Sequence, residues 1–360
     1  MSSISVNTIT DASGGNTVAI NGLTPTVSNM AGRNRIINGD MRIDQRNGGA
    51  SVTPTNGQYL LDRYQVILGQ ASKYSVQQVT DAPVGFTNSM QVTSLSAYSV
   101  VASDIFHVIQ KIEGFNVADL AWGTANAQAV TVSFWAKSSL TGTFGGSLVN
   151  SAEDRSYPFT YTISSANTWE YKTVTVAGDT TGTWLTNNGI GIRCHFTIGM
   201  GSNYTATAGA WTAGAKFAPT GATNLVATNG ATLAITGVQL EAGSVATPFE
   251  HRQYGQELAL CQRYYYQTSA TNYSMLMAAN GSSRLRGFIS LPVLPRAAPT
   301  TAISGTPTFY QYTGSSVTYS SIVTSGGSPE NTEVLFDFGI TGTASGVYDF
   351  RGVAQFSMEL

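Results

Sequence analysis

The sequence is short of charged residues. Only 11% of its 360 residues are Asp, Glu, Lys or Arg, against about 25% in an average soluble protein. The net charge is −2, and no stretch carries enough Lys and Arg to neutralise a row of phosphates, so nucleic acid is not an expected partner. The 38 glycines, with many Ser, Thr and Asn residues, are typical of extracellular β-proteins.

Cysteine and long apolar runs are also nearly missing. Cys194 and Cys261 lie in no metal-binding or redox spacing, and we favour two buried free thiols over a disulfide. No run approaches the roughly 20 apolar residues of a membrane span. The start, MSSISVNTIT, lacks the charged and apolar regions of a secretory signal. We therefore expect a protein made in the cytoplasm of a cell, without membrane insertion, that reaches any external position by a route such as lysis.

Catalytic motifs are missing as well. The three histidines, His107, His195 and His251, lie in no HExxH or other metal spacing, and there is no GxSxG motif. Glycan-cleaving enzymes use Asp/Glu pairs, and the densest acidic cluster is Glu153-Asp154-Arg155. We interpret that cluster as a salt-bridged surface turn rather than a hydrolase centre, and we expect no enzymatic activity.

Alternating side chains dominate the stretch from Val132 to Trp184. Val132, Phe134 and Ala136 alternate with Ser133, Trp135 and Lys137, and a period of two marks a strand with two different faces. Small polar turn residues separate such runs. Further strands are predicted at Tyr59–Val66, Lys73–Thr80, Ser89–Ser94, Gly189–Ile198 and Thr232–Glu241, the last with a bulge at Gly237.

Two segments show the spacing of apolar residues that a helix would have. Ser103 to Phe115 fits both a helical stripe and a strand, and the all-β context favours the strand. Glu250 to Tyr265 is predicted to be a helix, because Tyr254, Leu258, Cys261 and Tyr265 recur on one apolar stripe.

The fold class predicted from these patterns is all-β. It consists of a jelly-roll β-sandwich, one connecting helix and a second, smaller β-sandwich, preceded by a short N-terminal segment. A lone hairpin is marginal in water, so that first segment is expected to order on a partner or on copies of itself. The predicted ranges are 1–33 for the docking segment, 34–248 for the jelly roll, 249–267 for the helix and 268–360 for the C-terminal β-domain.

Several sequence blocks resemble those of bacteriophage tail fibre and virion proteins whose central domain is similar to carbohydrate-binding modules. They run in order from residue 37 to about 266, and they include INGDMRIDQR, VSFWAKSSLTGTF, ANTWEYKTVTVAGDTTGTW, LAITGVQLEAGSVATPFEHR and ELALCQRYYYQ. The opening TITDASGGNTVAING also looks like a virion-docking end.

The resemblance implies a non-enzymatic virion protein, part of a tail fibre or host-attachment appendage, and a homotrimer. Its N-terminal segment would dock on other virion proteins, and its loops would meet host cell-surface polysaccharide. It also implies a jelly roll closed by pairing Ile36–Ile43 with Leu233–Leu240.

Sugar binding needs aromatic faces for the pyranose ring and polar neighbours for its hydroxyls. The predicted glycan-binding residues are the loop aromatics and two polar neighbours: Trp122, Arg155, Tyr157, Asn203, Tyr204 and Trp211. Trp135, Trp169 and Trp184 are predicted to pack in the core or at its edge. Tyr264-Tyr265-Tyr266 fits both a subunit interface and core filling.

No cofactor is predicted. Asp40, Asp44 and Glu241 offer carboxylates on the predicted terminal strands, where a structural Ca²⁺ would find oxygen ligands.

Two other functions stay open. One is a capsid decoration or baseplate protein that binds no glycan, and the other is a glycan-degrading tail enzyme.

Overall fold

The computed structural model describes residues 32–268, 275–280, 283–311, 316–327, 332–341 and 346–360. The predicted N-terminal docking segment lies outside the described residues, apart from its last two positions. The all-β class is confirmed, and one α-helix follows the first β-region along the chain. No helix in the described part of the chain is both long and apolar enough to cross a membrane.

The chain packs as two compact units. The first holds residues 32–41, 53–57 and 66–251, and the second holds residues 42–52, 58–65 and 252–360. Two short segments from the start of the predicted jelly-roll range therefore pack with the C-terminal residues.

The first unit is a β-sandwich. A six-stranded sheet has the order β1-β4-β9-β6-β7-β11, a five-stranded sheet has the order β2-β3-β13-β5-β8, and β10 and β12 form a short pair. The strands are β1 (Tyr64–Leu68), β2 (Tyr74–Val79), β3 (Ser89–Ser94), β4 (Ile105–Glu113), β5 (Val130–Ser138), β6 (Gly142–Val149), β7 (Arg155–Ile163), β8 (Glu170–Val176), β9 (Ile190–Met200), β10 (Thr205–Ala206), β11 (Thr212–Ala213), β12 (Ala218–Pro219) and β13 (Thr232–Ala242). The segment that fitted either helix or strand is β4.

The core lies between the two sheets. Phe134 of β5 packs edge-on against Tyr161 and Phe196 of the other sheet, with ring centroids 4.9 and 5.1 Å apart. Because side chains alternate along a strand, Ser133 and Trp135 project from the opposite face of the five-stranded sheet. The alternation seen in the sequence thus predicted both faces of β5 correctly.

The predicted pairing of Ile36–Ile43 with the last strand is wrong. Residues 36–43 form no strand, and β13 pairs with β3 and β5 instead. Asn34 and Gly39 still contact β13, because Asn34 Nδ2 donates to the Val238 carbonyl at 3.0 Å and Val238 N–H donates to the Gly39 carbonyl at 2.9 Å. Residues 34–39 therefore cover the bulge of β13 without forming a strand.

The helix α1 (Tyr254–Gln262) is shorter than predicted and has no continuous apolar stripe. Tyr254 is 54% exposed, while Glu257 and Cys261 are the buried residues of the helix. Glu257 tolerates burial because Arg252 pairs with it at 3.3 Å. Both cysteines are buried free thiols, as predicted.

The second unit is one sheet that closes on itself. Strand β20 pairs along one edge with β17 and along the other with β14 and β15, in the order β14-β20-β15-β16-β19-β18-β17. The strands are β14 (Tyr265–Gln267), β15 (Met275–Ala279), β16 (Arg284–Ser290), β17 (Thr300–Gln311), β18 (Ser316–Gly326), β19 (Glu333–Thr341) and β20 (Val347–Ser357). The C-terminal β-region predicted as a sandwich is thus a closed sheet around a core that includes Phe336, Phe338 and Phe350.

Candidate functional site

Four of the six predicted glycan-binding residues meet in one aromatic cluster. Trp122, Tyr157 and Trp211 come together with Trp184, which the sequence assigned to packing. Trp211 lies 5.3 Å from Trp122, 5.4 Å from Trp184 and 5.2 Å from Tyr157 between ring centroids. The Arg155 guanidinium lies 6.0 Å from the Trp211 ring.

This cluster holds loops together and leaves little exposed ring area and no open indole N–H for a ligand. Trp122 and Tyr157 are buried, at 7% and 8% exposure, so little of either ring can be reached by a sugar. Each indole N–H is already bonded to a backbone carbonyl: Trp122 to Gln128 at 2.7 Å, Trp184 to Thr181 at 3.1 Å and Trp211 to Ala177 at 2.7 Å.

The Arg155 side chain is also paired within the protein. It donates two hydrogen bonds of 2.8 Å to the carboxylate of Asp179, which is 2% exposed. Burial raises the pKa of Asp179, but the Arg155 and Thr181 hydrogen bonds outweigh it and leave that pKa below its ordinary value. Arg155 therefore holds the loop after β8, and its role as a sugar ligand stays a prediction.

Asn203 and Tyr204 lie in a different neighbourhood, in the short 3₁₀ helix Ser202–Tyr204. Tyr204 stacks on Phe217 at 5.7 Å, and the backbone carbonyl of Asn203 accepts a hydrogen bond from Lys216. The six predicted residues thus do not form one site.

The acidic cluster behaves as the predicted turn. Glu153 pairs with Arg193 at 2.7 Å, and Asp154 accepts a hydrogen bond from Asn150 at 2.5 Å.

A separate groove lies on the outer face of the five-stranded sheet, all within the first unit. Its volume is about 520 Å³, which falls in the usual range for small-ligand sites. The lining residues are Val84, Gly85, Phe86, Ser133, Trp135, Tyr171, Gly237, Ala246, Thr247, Pro248, Phe249 and His251. None of them carries a formal charge when His251 is neutral.

The groove has two aromatic walls. Trp135 of β5 and Tyr171 of β8 are cross-strand partners with ring centroids 5.4 Å apart. Opposite them, Phe86 packs against Phe249 at 5.1 Å and against His251 at 5.3 Å. The groove therefore offers ring faces suited to the apolar side of a flat ligand.

The bulge of β13 makes room for these rings. The register of β13 against β5 shifts between Thr236 and Gln239, as the sequence predicted for Gly237. Gly237 has φ +62°, and a Cβ there would lie 2.7 Å from Phe86 and 3.2 Å from Trp135. Glycine is required both by the left-handed backbone and by the closeness of the rings.

Two polar groups of the groove have no hydrogen-bond partner among the described residues. Four of the five tryptophans donate their indole N–H to a protein oxygen atom. Trp135 is the exception, since its N–H finds no acceptor among the described residues, and the hydroxyl of the 44% exposed Tyr171 has no partner there either. Both groups are thus available to bind a ligand's hydroxyls.

A buried polar network holds the groove wall formed by residues 246–251. Glu241 accepts hydrogen bonds from the Thr247 N–H at 2.8 Å and the Thr247 hydroxyl at 2.6 Å. Gln239 accepts a third bond, from the Glu250 N–H at 2.9 Å. Glu241 and Gln239 of β13 thus hold Thr247 and Glu250 of this wall in place, so the wall is fixed before any ligand binds.

The predicted cation ligands form no metal site in the part of the chain that the structure describes. No group of three or more His, Cys, Asp or Glu side chains there could hold a metal ion. Glu241 is engaged with Thr247, and the Asp44 carboxylate accepts the N–H groups of Asn47 and Gly49.

Sequence reasoning missed the groove because its residues come from five separate segments. One signal was present, since Trp135 alternates with Phe134 and falls on the polar side of β5, where a core tryptophan would not lie.

None of the family models compared with the sequence matches it, and none of the curated proteins does. Solved structures are similar to part of the chain. The chain is similar to the enzymatically active domain of tailspike protein 4 of bacteriophage CBA120, with 11% identity and a TM-score of 0.31, over 53% of this chain and 21% of that one.

Two further similar structures come from Clostridium thermocellum. One is xylanase 10B with its carbohydrate-binding and catalytic modules, complexed with xylohexaose, at 13% identity, a TM-score of 0.28, and coverage of 53% of this chain and 28% of that one. The other is a family 11 carbohydrate-binding module with a mixed-linked tetrasaccharide, at 10% identity, a TM-score of 0.28, and coverage of 57% and 100%. Scores and identities this low leave the assignment of function to the chemistry of the groove.

Proposed function

We propose that this protein binds a neutral carbohydrate in the groove lined by Trp135 and Tyr171. The observation that carries the proposal is the combination of open aromatic rings with two donors that the protein leaves unpaired. A sugar ring has an apolar face for the aromatic walls and hydroxyls for the donors. The uncharged lining favours a neutral sugar, because an acidic one would lose hydration there without gaining a cation.

The biological setting that we propose is a bacteriophage virion. The sequence blocks between residues 37 and 266 resemble those of tail fibre and virion proteins, which favours a non-enzymatic host-attachment component. Such a protein would assemble as a homotrimer, dock through its N-terminal segment and contact host polysaccharide.

Tyr171→Ala is the sharpest test of the groove. It removes an exposed ring and its hydroxyl, and we expect it to weaken binding of the strongest neutral hit from a glycan array about tenfold, or 1.4 kcal/mol. Isothermal titration calorimetry measures the change. Tyr310→Ala is the matched control, since Tyr310 is equally exposed, at 45% against 44%, but lies in the second unit.

A glycan array without hits would overturn the proposal of sugar binding. Array hits whose affinity is the same in wild type and Tyr171→Ala would keep a sugar ligand but place it outside the groove.

One observation favours the alternative of a purely structural virion protein. Leu276 and Phe288 lie on the neighbouring strands β15 and β16 of the second unit, each next to a residue of the Met277–Gly287 pair, at 73% and 58% exposure. Paired exposed apolar residues often mark protein–protein contacts. Immunogold labelling of virions separates the two roles, because a host-attachment component lies at the tail tip and a decoration protein lies on the capsid.

A further inference from the structure

We infer that the sheet face carries a second sugar-binding position beside the groove, formed by Trp169, Lys137 and Asp81. The protein would then bind along a neutral polysaccharide chain instead of gripping a single sugar. This inference rests on the proposed function, and it names the ligand of the same face more closely.

The second position lies one row further along the same sheet. Trp135 pairs with Tyr171 across β5 and β8, and Ala136 pairs with Glu170. Lys137 and Trp169 therefore form the next row on the groove side, about 7 Å along the strands.

The side chains of this row touch one another. The Lys137 ammonium lies 5.3 Å from the centre of the Trp169 ring and pairs with Asp81. The Trp169 indole N–H donates to the Asp81 carboxylate at 3.2 Å. Asp81 begins the loop that continues to Val84 and Phe86, so a single loop borders both the groove and the second position.

The row can form hydrogen bonds with sugar hydroxyls without attracting a charged sugar. An ammonium has three donors and a carboxylate about four acceptor positions, and the single pair that Lys137 and Asp81 form leaves several of them for solvent or ligand. The Asp81 side chain is 49% exposed and can be reached from outside. Because the two charges cancel, hydroxyls gain charge-assisted hydrogen bonds while an acidic sugar gains no net attraction.

The two positions differ in chemistry. The groove has aromatic walls and uncharged donors, whereas the second row has one indole ring beside an ion pair. A single sugar can occupy the groove alone, but only a chain of two or more units can use both.

Calorimetric titration with oligomers of one to four units tests the inference, each oligomer built from the array's strongest neutral hit. Wild-type affinity should rise at least tenfold from one unit to two. Trp169→Ala and Asp81→Asn should each remove most of that gain while leaving the one-unit affinity within about twofold. Lys172→Ala is the matched control, because it breaks the Lys172–Glu170 pair on the opposite face of the same strand and should preserve the gain.

Two results would overturn the second position. One is a wild-type affinity that does not depend on chain length, and the other is a gain that survives in both Trp169→Ala and Asp81→Asn. Acid-bearing oligomers of the same length that bind as tightly as neutral ones would contradict the neutral-chain assignment. These outcomes differ from failure of the proposed function, in which no oligomer binds or Tyr171→Ala changes nothing. Circular dichroism of each variant checks that it is folded.

Discussion

Glu359→Gln should destabilise the second unit by about 3–5 kcal/mol, the usual cost of removing one partner from a buried ion pair. Glu359 pairs with Arg63, whose side chain is 1% exposed, and with Arg46 at 2.8 Å. Glutamine keeps the shape of the side chain but removes the charge. It therefore leaves the buried Arg63 guanidinium without this carboxylate.

Two groups near Arg63, the Asp62 carboxyl and the Tyr264 ring, replace little of the lost charge. Burial raises the pKa of the nearby Asp62 carboxyl to about 7 despite its hydrogen bond from Gln45, so Asp62 is only partly ionised at neutral pH. The Tyr264 ring lies 3.5 Å from the Arg63 guanidinium, and a ring face attracts a cation more weakly than a carboxylate does.

Hydrogen exchange in β19 and β20 measures this loss within the second unit. The control is Asp349→Asn, which breaks a pair with the 58% exposed Arg351 and should cost less than about 1 kcal/mol. Equal losses for the two variants would contradict the role given to Glu359.

Acid should destabilise the first unit through two buried histidines. His107 and His195 are diagonal neighbours on β4 and β9, with ring centroids 4.6 Å apart, and Phe217 packs against both. Burial, and then the charge of Arg193, lower the pKa of His107 to about 3. Burial also lowers the pKa of His195, with smaller contributions from His107, Arg193 and Lys111.

The sign of the effect follows from proton binding. The unfolded histidines take up protons near pH 6.5, whereas the folded ones resist protonation until the pH is far lower. Stability is therefore complete above about pH 6.5, begins to fall below it and levels off near the folded pKa, about 3 for His107. At pH 5 the loss from His107 alone is about 2 kcal/mol, and the His195 loss has the same sign.

Denaturant unfolding from pH 7 to pH 4.5, followed by exchange in β4 and β9, measures this slope. His107→Leu and His195→Leu should each flatten it. His251→Leu, which replaces the histidine outside this buried pair, is the control. A slope that stays the same in both buried-site variants would contradict the assignment.

The sequence predicted the strands well, because periodicity is a local property. The exact bounds of β3 and the bulge at Gly237 follow from side chains two positions apart. The strand at Ile105–Glu113 was favoured by its all-β context. The sequence predicted the pairing of residues 36–43 and the apolar stripe of the helix less well. The placement of residues 36–43 depends on hydrogen bonds to Val238, about 200 positions away, and no local pattern records them.

The groove was missed for a related reason. Sequence position cannot tell whether an indole N–H will meet a carbonyl of its own loop, as Trp122 does, or stay open, as Trp135 does. Trp122 and Trp211 looked exposed because they lie outside regular strands, yet they pack together. Neither ring nitrogen of the buried His195 has a hydrogen-bond partner among the described residues, which its position in a strand did not reveal.

A crystal structure of the protein with the tetrasaccharide form of the strongest neutral array hit tests the central claim most directly. We expect one sugar ring between Trp135 and Phe86, its hydroxyls accepting from the Trp135 N–H or bonding the Tyr171 hydroxyl. Sugar density against the Trp122–Trp211 cluster or in the second unit, with the groove empty, would contradict it.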